Sequence, residues 1–179
     1  MIASYLTYYV IKPQARTNYG DFIDPVTHPM PSTLHLTALD GKPAALKDYE
    51  GKWIMLQVDG GTCAEPCRKK LHDLRQVRLA QGRESDRIER VWLITDDTPL
   101  DTVLMREYDG VRILRVRVDA LEKWLPSEPG VAPFDRKMLF DQIYVIDPLG
   151  RLMMRFPKNA DANLIKKDIG KLLRASSIG

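Results

Sequence analysis

Cysteine is almost absent from this chain, with two residues in 179. That excludes a disulfide-dense scaffold and any four-cysteine zinc site. Histidine is scarce as well. His28, His35 and His72 are scattered, and no nucleophile–histidine–acid arrangement can be argued from them. A phosphate-binding glycine loop is missing, because Gly60-Gly61 lacks a following lysine and hydroxyl residue. There is no basic stripe interleaved with aromatics. Arg68, Lys69 and Lys70 sit together, but Arg87, Arg90, Arg112, Arg115 and Arg117 alternate with acids or apolar residues, which argues against a nucleic-acid partner.

What is present is an ordinary globular balance: 44% hydrophobic, 28% charged, net charge +3. The length suits one domain with a real core. Ile2 to Ile11 is apolar and tyrosine-rich and is followed by Lys12 and Pro13. Ten residues cannot span a bilayer, yet tyrosines beside a first lysine mark the interfacial end of a spanning helix. Two readings stay open for this stretch: the end of a membrane anchor, or a short amphipathic arm packed on the domain. Lys12 to Ser32 contains four prolines and reads as an extended tether. The expected organisation is therefore a membrane-proximal segment and tether over 1–32 and one domain over 33–175.

Within that domain, Leu34, Leu36 and Ala38 alternate with polar neighbours before the Asp40-Gly41 turn, which predicts a small hairpin. Trp53 to Val58 is a nearly unbroken apolar run, as in a strand covered on both faces. A helix follows from Pro66 to about Gln81, with Leu71, Leu74, Val77 and Leu79 inward. Val91 to Thr95 predicts a second buried strand, and Thr98-Pro99-Leu100-Asp101 a helix start. The arginine-alternating segment Ile113 to Val118 predicts an exposed or edge strand, Asp119 to Leu125 a short helix, and 126–135 a loop. Ile143–Ile146 and Leu152–Phe156 flank the turn Asp147-Pro148-Leu149-Gly150 as a hairpin. Asp161 to Leu173 closes the chain as an amphipathic helix with Leu164, Ile165, Ile169, Leu172 and Leu173 inward. Strand–helix alternation followed by a hairpin predicts an α/β fold with a central mixed sheet and helices on both faces.

The chemistry centres on Gly60-Gly61-Thr62-Cys63-Ala64-Glu65-Pro66-Cys67. The pair follows a buried strand and opens a helix, where free backbone N–H groups and the helix dipole favour a thiolate. A thiolate attacks disulfides and binds soft metals. Cysteines four apart at such a turn can bridge or jointly hold one metal ion. Glu65 opposes ionisation, whereas Arg68 and Lys69 favour it.

Gly51-Lys52, the strand through Val58, Thr62-Cys63-x-x-x-Cys67, Leu71 and Tyr144 to Gly150 resemble the SCO/SenC group of thioredoxin-like proteins, over about residues 34 to 173. The resemblance implies a thioredoxin-like fold and a membrane-anchored assembly factor for the copper site of cytochrome c oxidase. It further implies an inner-membrane location with the domain facing the periplasm. The CxxxC spacing is its specific part, since thioredoxin uses CxxC. The chain departs from the group in two respects. Ala64 and Arg68 stand where the group's CPxxCP context has proline. The group's third copper ligand is a histidine eleven positions before the late glycine, and counting back from Gly150 lands on Leu139. Gln142 occupies the position of the cis-proline of ordinary thioredoxins, a hallmark that the SCO/SenC group lacks as well.

Three functions follow from this. In the first, Cys63 is the more exposed, attacking thiol and Cys67 the resolving one in a thiol–disulfide redox protein, whose client is a cysteine pair in a respiratory oxidase subunit. In the second, Cys63 and Cys67 carry copper as Cu(I), with Met138 or a partner as third donor; the competing reading of Met138 is packing. In the third, the pair is a static disulfide in a non-catalytic interaction domain. His72 reads as a solvated helix residue, His28 as solvated and His35 as outward-facing. Trp53, Trp92 and Trp124 read as core. Asp96-Asp97 ends the second strand, where open α/β sheets place ligand groups; helix capping at Thr98-Pro99 is the preferred reading.

Overall fold

The computed structural model describes residues 18–126 and 136–176. The apolar stretch over 2–11 and most of the expected loop over 126–135 lie outside them. Eight strands form one mixed sheet in the order β1-β8-β7-β4-β5-β6-β2-β3. They are β1 (Asp21–Phe22), β2 (Leu36–Ala38), β3 (Pro43–Ala44), β4 (Trp53–Asp59), β5 (Ile88–Ile94), β6 (Arg112–Arg115), β7 (Ile143–Ile146) and β8 (Leu152–Phe156). The strands β4, β5 and β6 are parallel, while β7 runs antiparallel to both β4 and β8. The helices are α1 (Glu65–Ala80), α2 (Thr102–Glu107), α3 (Val118–Glu122), α4 (Met138–Asp141) and α5 (Ala162–Ala175).

Every residue of β4 is buried, the consequence of a central parallel strand with helices on both faces. Its odd-numbered Trp53 and Met55 pack with Leu74 and Val77 of α1 and with Ile165, Ile169 and Leu172 of α5. Its even-numbered Ile54, Leu56 and Val58 pack on the other face with Leu121, Trp124, Leu125 and Leu139. The three tryptophans are each about 1% exposed, as expected of core residues.

Several elements differ from the sequence expectation. Strand β6 is interior, because the hairpin of β2 and β3 covers the side on which it was expected to be an edge. Its arginines, Arg112 exposed and Arg115 half-buried, stand at its two ends without marking a sheet edge. Helix α2 starts at Thr102, not at Thr98-Pro99. Asp101 is its cap and accepts from the Val103 N–H at 2.9 Å. Leu79 is 58% exposed and lies outside the apolar face of α1. Part of the proline-rich stretch is pinned to the domain. Buried Asp168 accepts from the Tyr19 N–H at 3.2 Å and the Gly20 N–H at 2.7 Å, and β1 pairs with β8. Gly20 is required there, since a Cβ would stand 2.8 Å from the Phe156 ring and 2.9 Å from the Arg155 carbonyl.

Candidate functional site

The parallel strand β4 delivers the chain to a loop, Gly60 to Ala64, that leads into α1. Cys63 and Cys67 are joined in a disulfide across this strand–helix junction, with Cα atoms 5.0 Å apart. Cys63 adopts φ 48°, a left-handed conformation that most non-glycine residues avoid. Its N–H bonds to the Gly60 carbonyl at 3.1 Å, and Arg68 Nε donates to its carbonyl at 3.2 Å. Helix α1 begins without a side-chain cap, since Ala64 stands at that position and Pro66 in the first turn. The opening N–H groups are therefore left for the sulfur end of the helix.

Asp96 holds the loop from the end of β5. Its Oδ1 accepts from the Gly61 N–H at 3.0 Å and the Thr98 N–H at 3.1 Å. Burial alone would raise its pKa, but these backbone donors and Arg115 hold its carboxyl below the ordinary range. Arg115 in turn donates to the carbonyls of Asp96 and Thr98. The role of Asp96 is thus to clamp the cysteine loop, not to start α2. Both glycines are dictated by the clamp. A Cβ on Gly60 would lie 2.7 Å from Asp96 Oδ2, and one on Gly61 2.8 Å from the Thr98 carbonyl.

The sulfurs sit over apolar packing from Leu71, Trp92, Ile94, Leu104 and Tyr108. Both cysteines are 3% exposed, so Cys63 is not the more exposed of the two. Leu104 of α2 and Tyr108 just beyond its end pack against the pair. Access is from the other side, where both cysteines line a surface depression of about 300 Å³ with Asp59, Thr62, Pro66 and Phe140.

Behind the disulfide lies a polar array. The Gln57 carboxamide Nε2 lies 3.7 Å from Cys67 Sγ and donates to Asp59 Oδ2 at 3.0 Å. Asp59 Oδ2 pairs with Lys70 Nζ at 2.7 Å, and Lys70 also donates to the Phe140 carbonyl. All three residues are buried. Burial raises the Asp59 carboxyl pKa, an effect that Lys70 and Gln57 only partly offset. Burial likewise lowers the Lys70 ammonium, against the pull of Asp59. None of the three was singled out from sequence. The available signals were the glutamine interrupting an otherwise apolar strand and a lysine on the inward stripe formed by positions 67, 71, 74 and 77.

The remaining candidates are dispersed. His35 and His72 are exposed and His28 is half-buried. Leu139, at the position of the expected histidine, is 1% exposed in the core. Met138 is half-buried at the start of α4 and does not line the depression. Among the described residues no group of three histidine, cysteine or acidic side chains could hold a metal ion. A copper site with three protein donors does not fit this arrangement, because the third position carries a core leucine; two thiolates are what a reduced pair would offer.

A family model described as transmembrane-like, thioredoxin-like, C-terminal domain matches residues 53–176. The chain belongs to this family. Its members share the thioredoxin-like fold, here in an SCO/SenC-like form. Arabidopsis thaliana ScoI with copper bound is 19% identical, with a TM-score of 0.60 over 79% of this chain and 96% of that one. Yeast Sco1 with copper bound is 18% identical, with a TM-score of 0.58 over 80% of this chain and 87% of that one. The thioredoxin domain of a thiol-disulfide oxidoreductase from Bacteroides vulgatus is 18% identical, with a TM-score of 0.54 over 80% and 94%. At these identities the likeness establishes the fold. No curated protein matches the sequence. Among the described residues no helix of this thioredoxin-like domain is long and apolar enough to cross a membrane.

Proposed function

We propose that this domain is an SCO/SenC-like thiol–disulfide redox protein acting through Cys63 and Cys67. The observation that carries the reading is the disulfide at the opening of α1, lining a depression that a client thiol can enter. Apolar packing on one side and a polar array on the other fix the pair in place. The client is a cysteine pair in a respiratory oxidase subunit, and the site of action is the periplasmic face of an inner membrane. The client and the location rest on the SCO/SenC resemblance.

Exchange between the oxidised protein and a reduced dithiol peptide tests the activity. Two-electron exchange between them is the expected result, and a Cys67→Ser variant given the oxidised, disulfide form of the same peptide is expected to open that bond and trap a mixed disulfide at Cys63. Absence of exchange, together with unimpaired oxidase assembly in a Cys63→Ser/Cys67→Ser strain, would leave a structural disulfide in an interaction domain. The second reading, carriage of Cu(I), is favoured by the copper-bound state of two of the similar structures. It requires the reduced protein to retain one copper against a mild chelator, and loss of the metal under that competition removes it.

A further inference from the structure

Equal burial of the two cysteines leaves open which sulfur is attacked and which departs. The polar array behind them is not symmetric. Gln57 Nε2 reaches Cys67 Sγ at 3.7 Å, and Cys63 has Arg68 on its carbonyl rather than on its sulfur. Gln57 is 1% exposed, and its Oε1 has no hydrogen-bond partner among the described residues. The amide Nε2 faces Asp59 Oδ2 at 3.0 Å, the Cys67 carbonyl at 3.5 Å and Cys67 Sγ at 3.7 Å, while its acceptor oxygen goes unused among the described residues. A weak contact to a neutral disulfide sulfur becomes a charge-assisted hydrogen bond once that sulfur carries the electron pair. Such a donor favours the state that develops during reaction over the resting state.

We propose that Gln57 is a catalytic residue that stabilises Cys67 as the leaving thiolate, making Cys63 the attacked sulfur. The inference rests on the redox reading above. A client thiolate attacks Cys63 Sγ and forms a mixed disulfide. The Cys63–Cys67 bond breaks, and its electron pair leaves on Cys67 Sγ, facing the Gln57 N–H. The client's second thiol gives its proton to the Cys67 thiolate and attacks its own sulfur in the mixed disulfide. Cys63 is released as a thiolate and takes up the proton lost by the first client thiol. The client dithiol is oxidised by two electrons and the protein disulfide is reduced to two thiols.

The array also predicts opposite signs for its members. Gln57 donates toward the thiolate, whereas the Asp59 carboxylate repels it. In a reduced Cys63→Ser background Cys67 is the one remaining thiol, and its ionisation can be followed by ultraviolet absorbance. Gln57→Leu and Gln57→Met remove the donor at similar volume. Each is expected to raise the Cys67 midpoint by about one pH unit, a roughly tenfold loss of thiolate at neutral pH. With both cysteines present, each is expected to slow opening of the disulfide by dithiothreitol by about tenfold. Asp59→Asn is expected to lower the Cys67 midpoint, a direction that general loosening of the site does not produce. Two variants guard against one failing to fold, as judged by circular dichroism. An unchanged Cys67 midpoint and opening rate in the folded Gln57 variants would overturn the proposal. Neither measurement needs a client, since one follows thiolate absorbance and the other uses dithiothreitol, so they read Gln57 even if no dithiol peptide is a substrate.

Discussion

Asp59 and Lys70 form an ion pair at 2.7 Å in which each side chain is about 10% exposed. Both pKa values move toward the neutral forms, with burial as the leading cause in each. The pair therefore costs desolvation that its attraction does not fully return, a common balance for buried ion pairs. The sign for Asp59 follows by linkage. Its folded-state pKa lies above the ordinary value of 3.8, so the folded state binds more protons between those two values. Stability from this group is present at the acidic end of that window and is lost as pH rises through the folded value. Denaturant titrations of wild type and Asp59→Asn across the acidic range should show the wild type losing stability relative to the variant as pH rises. The slope is at most about 1.4 kcal/mol per pH unit for one group; a slope of the opposite sign would mean that Lys70 outweighs burial. At this scale Cys63 and Cys67 were legible from spacing and from their place after a buried strand. Gln57, Asp59 and Lys70 were not. Lys70 sits in a run with Arg68 and Lys69 that reads as a surface patch, and only the fold brings Asp59 under the helix to meet it.

The cysteine loop is an element built from steric exclusion as much as from hydrogen bonding. Gly60 and Gly61 look like a flexible linker in sequence, yet the Asp96 carboxylate occupies the space a Cβ would need at Gly60. At Gly61 the obstacle is the Thr98 carbonyl, a backbone atom that Arg115 holds in place. Gly60→Ala should destabilise by about 1–3 kcal/mol through overpacking. Combining it with Asp96→Ala should recover part of that loss, with a coupling of about 0.5–3 kcal/mol. Gly61→Ala should show no comparable rescue, because the clash with the Thr98 carbonyl remains. Equilibrium unfolding of the singles and doubles measures both cycles, and equal coupling at the two glycines would refute the clamp. The misplaced start of α2 has the same origin. Thr98-Pro99-Leu100-Asp101 carries helix-start chemistry, but the Thr98 N–H and carbonyl are already committed to Asp96 and Arg115. The helix can begin only after them, with Asp101 as its cap.

Across the whole molecule, hydrophobic periodicity gave the α/β architecture because the central strands and the two long helices are patterned by a two-sided core. The β2–β3 hairpin was legible from its Asp40-Gly41 turn, but its docking beside β6 depends on pairing far apart in sequence and leaves no local mark. The same holds for β1, whose attachment to β8 places the entry of the chain. In register, Asp21 pairs with Arg155, Arg155 with Tyr144, and Tyr144 with Leu56. Gly20 therefore lies level with the end of β4 that leads to Cys63, about 14 Å away across three strand spacings. The Asp147–Gly150 turn, with the partly exposed Leu149, lies at the opposite end, where Gly51 bonds to the Pro148 carbonyl. Gly20 thus stands at the end of the sheet that carries the disulfide, and an attachment made upstream of it is expected to turn that end toward the surface that bears it. Coupling the protein through its N terminus to vesicles containing nitroxide-labelled lipid makes this measurable. In a Cys63→Ser/Cys67→Ser background, a fluorophore at Thr62→Cys should be quenched more strongly than one at Leu149→Cys. Equal quenching would mean that the entry point does not orient the domain, and stronger quenching at Leu149 would place the disulfide on the distal face.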